Sequence, residues 1–128
     1  MTSRRLISSG SAFEKVGGYS RAVAQDDWCW VSGTTGYDYA KMEMPESLDA
    51  QARNAMNTIT HALNEAGFLL QDVVRATYYV TDAAMMDPVF RVVGEYFAEV
   101  RPAATMIVCG LVKPEMKIEI EVTAKRKA

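Results

Sequence analysis

Between Lys117 and Lys125 the chain alternates without interruption, Ile118, Ile120, Val122 and Ala124 against Lys117, Glu119, Glu121 and Thr123. A period of two puts the first set on one face of a β-strand and the second on the other. The apolar face must then be covered by another layer, which fixes the last strand of a layered domain. A turn at Val112 to Met116, containing Pro114, separates it from a strand over Thr105 to Leu111. In that strand Met106 and Val108 on one side and Ile107 and Cys109 on the other are apolar, the pattern of a strand covered on both faces.

Upstream, Tyr19 to Val23 and Trp28 to Val31 are rich in aromatic and β-branched residues and flank Asp26-Asp27, which predicts a hairpin. The stretch from Gly33-Thr-Thr-Gly36 to Pro45 follows neither period and is expected to leave the second strand as a loop. From Asp49 to Ala66, Ala52, Ala55, Met56, Ile59, Leu63 and Ala66 recur at helical steps, and Gly67 follows as a residue able to take positive φ. Val73 to Val80 is dense in β-formers, with Val73, Arg75, Thr77 and Tyr79 on one side and Val74, Ala76, Tyr78 and Val80 on the other. A second helix is predicted from Met86, Val89, Phe90, Val93, Phe97 and Val100, with Pro88 in its first turn and Pro102 beyond its end. The order β-β-α-β-α-β-β describes an α+β, two-layer domain whose two helices cover one face of a mixed sheet. The other face is also partly apolar, which predicts a homo-oligomer closing its sheets against one another, with binding clefts between subunits.

At 128 residues the chain has room for a single domain spanning residues 1–128. No apolar run approaches the roughly 20 residues that cross a bilayer. The start, Met-Thr-Ser-Arg-Arg-Leu-Ile, lacks the apolar core of a secretory signal, so a cytoplasmic protein without membrane association is expected. A net charge of −2 and a pI near 5.4 disfavour a phosphate-binding surface, and no nucleic-acid partner is expected. Cys29 and Cys109 read as buried free thiols, the methionines as core filler, and His61, between Ile59 and Leu63, as a partly buried structural histidine. No metal or organic cofactor is implied.

Four local patterns, in this order and at these separations, carry a resemblance: Gly17-Gly18-Tyr19, Val31-Ser32-Gly33, Arg101-Pro102-Ala103, and Pro114 followed by Lys117-Ile-Glu-Ile-Glu121. Together they resemble the Rid (YjgF/UK-type) family of imine and enamine deaminases, some of whose members are labelled endoribonucleases. The resemblance implies a chorismate-mutase-like homotrimer with three intersubunit clefts. It also implies that Tyr19, Ser32 and Gly33 position a small substrate and that Glu119 assists water attack, with Glu121 on the same face. On residue pattern alone Glu119 reads as a solvated or interface residue. Ala104 stands where deaminating members carry a carboxylate-binding arginine, and Met106 occupies a second pocket position on the same strand face. A methyl group cannot replace a guanidinium fork, so a neutral or larger substrate is expected, or a non-catalytic ligand-binding trimer. Arg21, two residues after Tyr19, is expected to enter the cleft as a substitute cation, and Arg101 to face away from Ala104.

Overall fold

The computed structural model describes residues 3–127. Strands β1 (Arg5–Ile7), β2 (Ala22–Gln25), β3 (Trp28–Thr35), β4 (Val73–Val80), β5 (Ala103–Val108) and β6 (Ile118–Lys125) form one sheet in the order β1-β2-β3-β6-β4-β5. Every neighbouring pair is antiparallel except β4 and β5, which are parallel and joined through a helix, as parallel neighbours require. The described residues also form three α-helices: α1 (Ala12–Gly17), α2 (Leu48–Glu65) and α3 (Met86–Phe97).

The core lies between one sheet face and helices α2 and α3. The α2 stripe expected from its spacing is buried throughout, and Ser47 caps the helix by accepting a hydrogen bond from the Ala50 N–H. Gly67 follows with φ 84°, as its position past the helix end predicts. Opposite this stripe lie Ala76, Tyr78 and Val80 of β4 and Ile118, Ile120, Val122 and Ala124 of β6. Burying a residue such as Ile118 or Ile120 contributes roughly 1.5–3 kcal/mol relative to leaving it in water. The alternation of β6 is therefore obeyed residue by residue.

Several expectations are corrected. The element order gains β1 and α1 ahead of the hairpin; three residues and six residues are too short to show a period. The first strand of the hairpin begins at Ala22 rather than Tyr19, and β3 runs on to Thr35 where a loop was expected. Register slips in β4 between Val73 and Arg75, so Val73 is buried, Val74 exposed and strict alternation resumes only from Arg75. The buried stripe of α3 is Val89, Val92, Val93 and Phe97, whereas Met86 and Phe90 are exposed. In the single chain, strand β5 is an edge strand, largely exposed along its length. His61 stands out in solvent, its side chain 84% exposed and 3.9 Å from the Glu65 carboxylate. Cys29 is buried, and burial pushes its thiol up to about 11, but Cys109 is only partly buried; both are free.

Among the described residues no helix is long and apolar enough to cross a membrane.

Candidate functional site

Two departures from regular structure build the site. Pairing between β3 and β6 slips by one residue between Val31 and Thr34, so Ser32 and Gly33 bulge where β6 supplies a single opposing position. The bulge turns the Ser32–Gly33 backbone toward Glu119 and Glu121 on the helix-free face of β6. A Cβ placed on Gly33 would collide with the Glu119 carboxylate, so only glycine lets that carboxylate lie directly on the strand. The second departure is α1, which brings Phe13, Val16, Gly17 and the following Tyr19 over the same place.

The result is a cleft of about 620 Å³ lined by Phe13, Val16, Gly17, Tyr19, Ser32, Gly33, Thr35, Tyr39, Val112, Met116, Glu119 and Glu121. Four residues anticipated from the sequence, Tyr19, Ser32, Gly33 and Glu119, thus meet in one chain, and Glu121 joins them. Ser32 Oγ donates to the Ser20 carbonyl at 2.6 Å, which leaves the hydroxyl oxygen free to accept. Tyr39 is buried; its hydroxyl accepts from the Thr35 N–H at 2.8 Å. Tyr79 donates to the Glu121 carboxylate, and that hydrogen bond, with burial, pushes its phenol up to about 12. Glu119 is shifted above the usual carboxylate range, first by burial and then by its neighbour Glu121, with Arg21 opposing both.

Arg21 does not enter the cleft. Its side chain is 1% exposed and lies behind the wall, where Nη1 donates to the Gly33 carbonyl at 2.8 Å and Thr34 Oγ1 at 3.2 Å. Nε reaches Glu14 at 3.4 Å, and the guanidinium packs over the Tyr39 ring at 4.3 Å. Ala104 and Met106 lie elsewhere in the single chain. Ala104 lines a groove of about 450 Å³ between α3 and β5, with Tyr78, Phe90 and Arg101 among its walls, and Met106 packs on the edge of the main core. The expectation for Arg101 is reversed: it shares that groove with Ala104, because it precedes the strand and sits at φ 52°, outside the alternation that begins at Ala103.

The sequence reading missed the α1 wall and Thr35, Tyr39, Val112 and Met116. A signal for α1 existed, since Ser11-Ala-Phe-Glu14 has the spacing of a capping box. Ser11 does cap the helix, accepting from the Phe13 N–H, but Glu14 turns inward to Ser8, Ser9 and Arg21. Among the described residues no group of three or more His, Cys, Asp or Glu is placed to hold a metal ion.

Residues 9–126 match the family model described as endoribonuclease L-PSP. The chain belongs to that family, known also as the YjgF/UK114 or Rid family. A RutC family protein in the leuC 5′ region of Leuconostoc mesenteroides is 30% identical, over 97% of this chain and 99% of its own. The fold is similar to that of a YjgF/YER057c/UK114 family member from Mycobacterium tuberculosis, with a TM-score of 0.89 and 40% identity over 96% of this chain and 99% of that one. It is also similar to RidA from an Antarctic Psychrobacter, with a TM-score of 0.84 and 27% identity over 94% and 97% of the two chains. The mixed six-stranded sheet with three helices is the Rid arrangement.

Proposed function

We propose that this Rid-family chain assembles as a homotrimer that takes a small metabolite into clefts between subunits and hydrolyses an imine or enamine to a carbonyl compound and ammonia. The observation that carries the reading is the convergence of Tyr19, Ser32, Gly33 and Glu119 on one cleft, with the Glu119 carboxylate lying on the Gly33 backbone. In the reaction, water oxygen adds to the imine carbon, the C=N π pair moves to nitrogen, and Glu119 takes the water proton. Glu119 returns that proton to nitrogen, then takes the carbinol hydroxyl proton and passes it on to the same nitrogen, so that the C–N bond breaks, ammonia leaves and the carbinol oxygen becomes the carbonyl. A carboxyl whose proton affinity is raised by burial suits both halves of that exchange. Tyr19 and Ser32 hold the substrate. Ala104 and Met106 of a neighbouring copy close the cleft, leaving it apolar where a carboxylate-binding arginine would stand, so the preferred imine is neutral. No metal or cofactor takes part.

The competing reading is a ligand-binding trimer without chemistry, and the observation favouring it is Ala104 itself, a methyl group in its groove. Ammonia release from a freshly generated neutral imine and from a 2-imino acid separates the two. The parent protein should hydrolyse the neutral imine, Glu119→Gln should lose roughly 100-fold or more, and Ala104→Arg should gain activity on the imino acid. If only Ala104→Arg acts, and only on the imino acid, the protein is a binder.

A further inference from the structure

Arg21 is the most completely buried cation in the described part of the molecule, and the site described above does not use it. It is 1% exposed and reaches one carboxylate, Glu14, itself 5% exposed, through Nε at 3.4 Å. Burying a charge is costly unless it is paired and hydrogen-bonded. The surroundings of Arg21 are the back of the cleft. Nη1 holds the Gly33 carbonyl at 2.8 Å, and the guanidinium lies over the rings of Tyr39 and Tyr19, at 4.3 and 5.7 Å. Nη2 has no hydrogen-bond partner, the sole such buried side-chain atom among the described residues. The charge is therefore only partly neutralised by its own neighbours.

We propose that Arg21, clamped by Glu14, is a positioning residue of the cleft: it fixes the Gly33 peptide beneath the Glu119 carboxylate and sets a buried positive charge behind the acidic wall. This rests on the reading of the cleft as a hydrolytic site in which Glu119 moves a proton. Two effects act through one side chain. By holding the Gly33 carbonyl, Arg21 keeps the bulged peptide in the position that leaves room for Glu119, since any rotation of that peptide would move the surface on which the carboxylate lies. By its charge, it opposes the two influences that raise Glu119, burial and Glu121. The titratable and charged groups facing Glu119 are Glu121 on its own strand, Tyr79 from β4, Tyr19 after α1, Tyr39 from the loop beyond β3, and Arg21. Arg21 is the cation of that set. A molecule with Ala104 in place of a cleft-facing arginine thus keeps a cation at the site, applied to the acid from behind.

The experiment is a titration of the Glu119 side-chain carboxyl by carbon NMR in the resting, assembled protein, which reads the charge whether or not the protein turns over any substrate. The variants are Arg21→Lys, Arg21→Met and the double substitution Glu14→Gln with Arg21→Met. The double variant removes both members of the ion pair and guards against the misfolding that an orphaned Glu14 would cause. The Glu119 midpoint should rise by roughly half a unit or more in Arg21→Met and in the double variant, and stay near the parent value in Arg21→Lys, which keeps the charge. A purely structural role would not separate Lys from Met in this way. A midpoint unchanged in the folded double variant overturns the proposal. If the midpoint moves as expected but the parent protein releases no ammonia from any imine, the role of Arg21 stands and the hydrolytic reading alone falls. If the parent is active, the acidic limb of its pH–rate profile should move upward with the midpoint in the double variant.

Discussion

Glu119 binds its proton more tightly in the folded chain than in the unfolded one, because burial and the carboxylate of Glu121 both disfavour its ionised form. The folded state is therefore favoured by this group below the ordinary carboxylate pKa, and that contribution is lost as pH rises through the raised value. Glu119→Gln cannot ionise, so its stability relative to the parent should climb as pH rises from the ordinary carboxylate range through the raised pKa of the folded state, and level off at both ends. Urea unfolding at fixed protein concentration measures it, and a difference that does not vary with pH would show that Glu119 titrates as an exposed carboxyl. At this scale the sequence was half legible. The alternation of β6 shows which face carries Glu119, and turn-forming glycine marks the strand beside it. The burial of Arg21 was not legible, because arginine is ordinarily exposed and its partner Glu14 sits in a helix too short to show a repeat.

Strand β3 and the loop after it meet α2 and β6 through Gln51, a fully buried polar side chain. Its Nε2 donates to the Pro45 and Glu115 carbonyls at 2.9 and 3.0 Å, and its Oε1 accepts from the Lys117 N–H at 2.9 Å. One helix residue thus ties down both ends of the irregular backbone that flanks the cleft and holds Lys117, the residue just before β6 and two before Glu119. Gly36 lets the strand end approach this point, since a Cβ there would run into the Gln51 backbone. Gln51→Ala removes three hydrogen bonds to part-buried backbone groups and should cost about 3 kcal/mol; Gln51→Glu, which sets a carboxylate against two carbonyl oxygens, should cost at least as much. Chemical denaturation gives both values, and a cost below about 1 kcal/mol for Gln51→Ala would mean that water replaces the side chain. Helix α2 and strands β4 and β6 could be read from period alone, because each packs one face on the core over many residues. The bulge at Ser32–Gly33 could not, as a slip of one residue is decided by the partner strand, which lies far away in sequence.

The helix-free face of the sheet is where the molecule is least complete as a single chain. Trp28 and Trp30 stack on it in parallel, their centroids 6.1 Å apart, and Ile107 of the edge strand is 41% exposed. Apolar area left in water costs roughly 25 cal/mol per Å² relative to its burial, and β5 offers unpaired backbone groups along the sheet edge. Trimerisation, as proposed above, would cover that face. Sedimentation should report a trimer for the parent, and Ile107→Asp should shift it toward monomer and abolish ligand binding together with assembly; a parent monomer at micromolar concentration would overturn the intersubunit cleft. The apolar composition of β5 predicts a covering partner, but nothing in the order of residues says how many copies meet. Trp28 and Trp30 are the two tryptophans of the chain, so all of its indole emission arises from one spot on the uncovered sheet. The protein carries a built-in optical reporter, one whose colour answers to whatever comes to rest on that surface and to nothing that happens among the helices.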